Sequence, residues 1–113
     1  MTSLDDLAKL DGVVLAFEFS PDGRLTEHKS ASGASAETAA MAAQFCASVT
    51  MNFNVLAGAF TQLSGMPWTP QQGWAYSGGE HTVAIGGSGY KGVFIKTAKA
   101  DFNTLFQMLV ASS

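Results

Sequence analysis

Apolar residues along the chain recur at two different spacings, and the switches between them predict the elements. Leu4, Leu7 and Leu10 are spaced for one helical face, and Ser3 with Asp6 three residues on resembles a capping box with Asp in place of Glu, so a short helix is expected over about residues 4–10. The next run, GVVLAFEFS, is rich in β-formers. SPDG then puts Pro second and Gly last, the arrangement of a type I turn, and RLTEHKS can return as a partner strand. A hairpin pairing 13–19 with 24–29 follows.

After the small polar segment ASGASAE the period changes to three and four. Ser35 can cap a long helix with Glu37 in its first turn, and Gly65 and Pro67 end it after about residue 64. Phe45, Val49, Phe53, Leu56, Phe60 and Leu63 make one large apolar stripe, which is expected to face the domain's own sheet. Ala39, Ala43, Ala47 and neighbouring small residues make a second, flatter face. From Thr38 to Gly79 there is no Asp, Glu, Lys or Arg, although a helix on a monomer's surface normally shows charge on its outer side. The outer side, with Ala47, Met51, Asn54, Val55, Gly58 and Gln62, is therefore expected to be covered by a twin helix, with Asn54 and Gln62 bonded across a two-fold axis or to water. Gln44, Asn52, Asn54 and Gln62 interrupt the run before about 18 apolar residues accumulate, so membrane insertion is not expected.

Three β-like pieces follow PWTPQQ, namely GWAYS, HTVAI and GVFIKT, and DFNTLFQMLV closes the chain as a short amphipathic helix. The order is helix, two strands, long helix, three strands, helix, without an internal repeat, and residues 1–113 read as one domain. GSGYKG at 87–92 fits the dinucleotide pattern G-x-G-x-x-G. That pattern needs a helix opening at its last glycine, and here Val93, Phe94, Ile95 and Lys96 read as a strand. The glycines are expected to supply positive φ in a turn between strands.

Composition narrows the functional classes. The chain is 47% apolar and only 13% charged, which leaves little charge to cover its surface. Net charge is −3 and the six basic residues are scattered, which argues against nucleic acid as partner. Cys46 is the only cysteine, and the acidic N-terminus lacks a secretory signal pattern, so a cytoplasmic protein is expected. His28, Cys46 and His81 have no metal-ligand spacing; Ser77 and Ser88 do not fit G-x-S-x-G and read as turn residues; no carboxylate pair stands out as catalytic. No catalytic residue, cofactor or metal is expected. Trp68, Trp74 and Tyr76 cluster around the third strand, either as core or as a docking surface.

The element order, with SLDDLAKLDGVVLAFEFSPDGRL, SGMPWTPQQGWAYSGGEHTVAI and AKADFNTLF, resembles the roadblock family of dynein light chains and GTPase-associated proteins, and most nearly a bacterial branch of it. The resemblance implies an α+β, profilin-like fold: a five-stranded antiparallel sheet with a long central helix, in the order α-β-β-α-β-β-β-α. It also implies homodimerisation through the long helix and the following strand, which adds Trp74 and Tyr76 to the expected interface. Such proteins are scaffolds or regulators of small GTPases and multiprotein complexes and not enzymes. The alternative is a small-molecule sensor or carrier with a pocket between sheet and helix.

Overall fold

The computed structural model describes residues 3–30, 33 and 35–110. Its first helix, α1 (Leu4–Ala8), starts as its sequence dictates: the Ser3 hydroxyl accepts the Asp6 N–H at 3.1 Å, and the Asp6 carboxylate accepts the Ser3 N–H at 3.3 Å. These bonds hold the Asp6 carboxyl below its ordinary pKa. Strands β1 (Val13–Phe19) and β2 (Leu25–Ser30) form the hairpin, closed by the Gly23 N–H donating to the Ser20 carbonyl at 2.9 Å.

The central helix α2 (Ala36–Ser64) is capped by Ser35, whose hydroxyl accepts the Thr38 N–H at 3.1 Å, and stops where Gly65 turns left-handed with φ 72°. Residues 31, 32 and 34 of the preceding polar segment lie outside the described residues. β3 (Trp74–Gly78), β4 (His81–Gly86) and β5 (Lys91–Lys96) form the meander, and α3 (Phe102–Val110) closes the chain. Asp101 caps α3 by accepting the Thr104 N–H at 3.3 Å.

The five strands form one antiparallel sheet in the order β2-β1-β5-β4-β3. Side chains alternate across it and build two apolar layers. On one face Ala16, Ala84, Val93 and Ile95 meet Leu4 and Leu7 of α1 and Leu105 and Leu109 of α3. On the other, Leu15, Phe17, Phe19 and Ile85 meet α2.

Here the structure reverses the expected facing of the long helix. The residues of α2 pressed on the sheet are Ala39, Ala43, Cys46, Ala47 and Thr50, all buried, whereas Phe45 is 68% exposed and Leu63 84% exposed, with Leu56 and Phe60 also outside the core. The physical reason lies in the sheet. Its α2 face already carries three large side chains from β1 and Ile85 from β4, so the interlayer space closes only if the helix offers its smallest residues. The large stripe is displaced onto a flank. Ala47 consequently leaves the expected partner interface, since it is 6% exposed within its own domain.

If this alanine layer sets the helix–sheet distance, Ala43→Leu should overpack it and cost about 1–3 kcal/mol in urea unfolding. A neutral effect would mean that the layer has room to spare.

Candidate functional site

α2 packs over β1 and β2, the half of the sheet remote from β3. The other half is left with an apolar groove of about 340 Å³: its wall is Ala42, Phe45, Val49 and Phe53 of α2, and its floor is Trp74, Tyr76, Val83 and Phe94 of the sheet. Among the described residues no charged group lines it. Phe53 and Trp74 touch with ring centroids 5.7 Å apart, closing one end.

A polar node fixes that end. Thr50, fully buried in α2, donates its hydroxyl to the Gly89 carbonyl at 2.7 Å and accepts from Trp74 Nε1 at 2.8 Å. Its own carbonyl accepts from Gln71 Nε2 at 3.1 Å, which also donates to Asn54 Oδ1 at 2.7 Å. One threonine thus ties the central helix to β3, to the loop before it and to the turn between β4 and β5. Gly89 has φ +106°, and a Cβ there would lie 2.5 Å from Thr50 Cγ2. The glycines of GSGYKG therefore serve a 3-10 turn (Gly87–Gly89) packed against α2, and the chain continues as strand β5, not as a helix. Ser88 lies in this turn, and its side chain is outside the described residues.

The remaining sequence-derived candidates are spread over the fold. Met51, Val55 and Gln62 are exposed, and helical spacing puts them on the flank of α2 turned away from the groove. Asn54 is engaged by Gln71, Gly58 is half-buried, Trp74 is half-buried and Tyr76 is 67% exposed. The groove side of the helix is thus formed by the stripe expected inside the core. Sequence reasoning named those residues and gave them the wrong neighbour; it did not single out Thr50 or Gln71, which carry no local signal beyond being polar in an uncharged region.

His28 lies on β2, His81 begins β4 and Cys46 is on the sheet-facing side of α2; among the described residues no group of three His, Cys, Asp or Glu side chains could hold a metal ion. The Ser77 hydroxyl bonds Thr82 at 2.7 Å, and Thr82 bonds Thr97 at 2.8 Å. Trp68 packs edge-on against Phe60 at 5.2 Å and donates Nε1 to the Ser64 hydroxyl at 3.2 Å. Burial pushes the Cys46 thiol up to about 12.

Beside the groove runs the outer edge of β3, which among the described residues has no neighbouring strand, and whose residues bear no charge. The opposite edge, β2, presents Glu27 and Lys29. Among the described residues no helix is long and apolar enough to cross a membrane.

This sheet order with a long helix on one face, in the sequence α-β-β-α-β-β-β-α, is the roadblock fold. It is similar to a Roadblock/LC7 domain from Streptomyces avermitilis, with a TM-score of 0.68 over 92% of this chain and 82% of that one at 13% identity. It is also similar to MglB of Myxococcus xanthus, with a TM-score of 0.58 over 88% of this chain and 75% of that one at 14% identity. The chain belongs to the family described as an uncharacterized conserved protein (DUF2173), which matches residues 3–111. No curated protein matches it.

Two outcomes test the node and the thiol. Thr50→Val keeps the shape but strands a buried indole N–H and a carbonyl, and should cost about 1–3 kcal/mol in urea unfolding. Cys46 should resist iodoacetamide at pH 8, because a thiol raised from 9.0 to about 12 holds roughly a thousandfold less thiolate there. The same shift predicts stability that is intact below about pH 9 and falls toward pH 12, as the unfolded chain alone releases this proton. Rapid labelling of native protein would mean that the α2 layer opens freely.

Proposed function

We propose that this protein is a non-enzymatic, homodimeric module of the cytoplasm that acts by binding other proteins, as a regulator or scaffold for a small GTPase or a multiprotein complex. The observation that carries this reading is the continuity of an uncharged flank of α2 with the uncharged free edge of β3. An exposed apolar surface of this kind marks an interaction site, and an open strand edge accepts another strand. The GTPase partner rests on the resemblance to roadblock proteins, and the roadblock fold supports it at the level of architecture.

A second reading is favoured by one feature: the groove is concave, uncharged and about 340 Å³, within the range of small-ligand sites. Under it the protein carries a neutral apolar molecule. Native mass spectrometry separates the two, since a carrier purified from its own cell should retain an extra small mass and the dimer reading requires none.

Light scattering at micromolar concentration should give twice the 11.8 kDa chain mass. Phe45→Glu places a charge on the groove wall at an exposed position, so it should leave the fold intact and shift the protein to monomers. A monodisperse wild-type monomer would refute self-association. A dimer insensitive to Phe45→Glu would move the interface to the other flank of α2, where Met51 and Val55 lie.

A further inference from the structure

We infer that the far end of α2, with the turn that follows it, rests in the headgroup region of a lipid bilayer and holds the protein at an uncharged membrane surface without crossing it. The side chains involved are Phe60, Leu63, Met66 and Trp68. None of them lines the groove, so the inference goes beyond the protein-binding reading and does not depend on it.

This end of the helix stands away from the core. Thr50 is the last buried residue of α2, and the helix continues beyond it to Ser64, about 21 Å further. Residues 62–70 are all exposed. A projecting end in water is ordinarily polar, yet all four of these large apolar side chains are exposed, and Leu63 is the most exposed of the large hydrophobic residues. Trp68 packs on Phe60, and Leu63 lies one helical turn beyond Phe60, so they form one cap.

The polar groups of the cap are turned inward. Gly65 donates its N–H to the Thr61 carbonyl at 3.0 Å, Met66 donates to the Ser64 hydroxyl at 3.1 Å, and Trp68 donates to the Thr61 hydroxyl at 3.0 Å. The two hydroxyls in turn donate back along the helix, Ser64 to the Phe60 carbonyl at 2.7 Å and Thr61 to the Ala57 carbonyl at 3.0 Å. The Trp68 indole N–H is held by Ser64. Pro67 and Pro70 have no N–H to satisfy. Thr69 is the one residue of the turn outside this scheme.

That arrangement selects lipid over protein as the occupant. A protein interface carries about one hydrogen bond per 100–200 Å², and this cap has already used the donors it would bring to one. A bilayer asks the opposite, that polar groups be satisfied from within before apolar side chains enter it. Trp68 is the side chain enriched at the depth where headgroups meet acyl chains. From Thr38 to Gly79 there is no acidic residue to resist that environment, and no Lys or Arg of the kind that anionic lipids attract, so the surface that fits is zwitterionic.

Flotation of the full chain with phosphatidylcholine vesicles tests this. The protein should rise with the vesicles, and its tryptophan emission should move to shorter wavelength. Leu63→Asp and Met66→Asp alter exposed positions, so circular dichroism should show an intact fold, while each carboxylate should lower the vesicle partition coefficient by about tenfold or more. Phosphatidylglycerol should not strengthen binding, because the net charge is −3. Absence of flotation with phosphatidylcholine overturns the inference and leaves the cap to a protein partner. Binding that survives Leu63→Asp and Met66→Asp overturns it too, as does binding that requires phosphatidylglycerol and disappears in salt.

Discussion

The fold depends on how closely α2 can lie on the sheet, and that distance is set by two alanines. Ala39 and Ala43 have no exposed surface and contribute only a methyl group each to the interface. The bulk in the layer comes from the other side, from Leu15, Phe17 and Phe19 of β1 and Ile85 of β4. Packing at crystal-like density leaves no room for a second set of large residues in the same layer. The phenylalanines of α2 must therefore go to a flank, and because α2 covers only the β1–β2 half, that flank looks across the open half of the sheet. The groove is what remains when a small-faced helix packs on a large-faced sheet.

The same closeness makes the Thr50 node possible. A threonine hydroxyl is short, and it reaches both the Gly89 carbonyl and the Trp74 indole only because the helix, the turn and the start of β3 crowd together there. Gly89 belongs to this contact, since a side chain at that position would meet the Thr50 methyl. Beyond Thr50 no residue of α2 is fully buried; the returning loop holds the last turns through Trp68, bonded to Thr61 and Ser64, and the middle of the helix through Gln71, bonded to Thr50 and Asn54. The groove end of the helix is thus anchored by polar bonds, and the β1–β2 end by apolar packing.

What was legible in the sequence is what is decided locally. Ser3, Ser35 and Gly65 act within one turn of their helices, and the SPDG turn closes within four residues, so element order and most boundaries could be read directly. The facing of α2 could not. Both sides of that helix lack charge, so periodicity identifies two apolar faces without ranking them, and the usual rule that the larger stripe goes inward fails when the sheet supplies the volume. The site divides in the same way. Trp74 and Tyr76 were identifiable as aromatics on a strand, whereas the Thr50–Trp74 bond joins residues 24 apart and exists only in three dimensions.

Charge is segregated in the folded chain. The uncharged stretch from Thr38 to Gly79 becomes α2, its returning loop and β3, a continuous side of the molecule, while ion pairs such as Lys29–Asp5 at 3.7 Å and Lys99–Asp11 at 3.4 Å lie on other elements. The two sheet edges follow this division. β2 is guarded by Glu27 and Lys29, the ordinary defence of an edge against unwanted pairing. β3 has no such guard and lies beside exposed aromatics. A chain defended at one edge and undefended at the other can add strands in one direction only, and pairing two undefended edges uses both up. The charge pattern thus leaves β3 as the edge at which the sheet is open to a further strand, and closes it at β2.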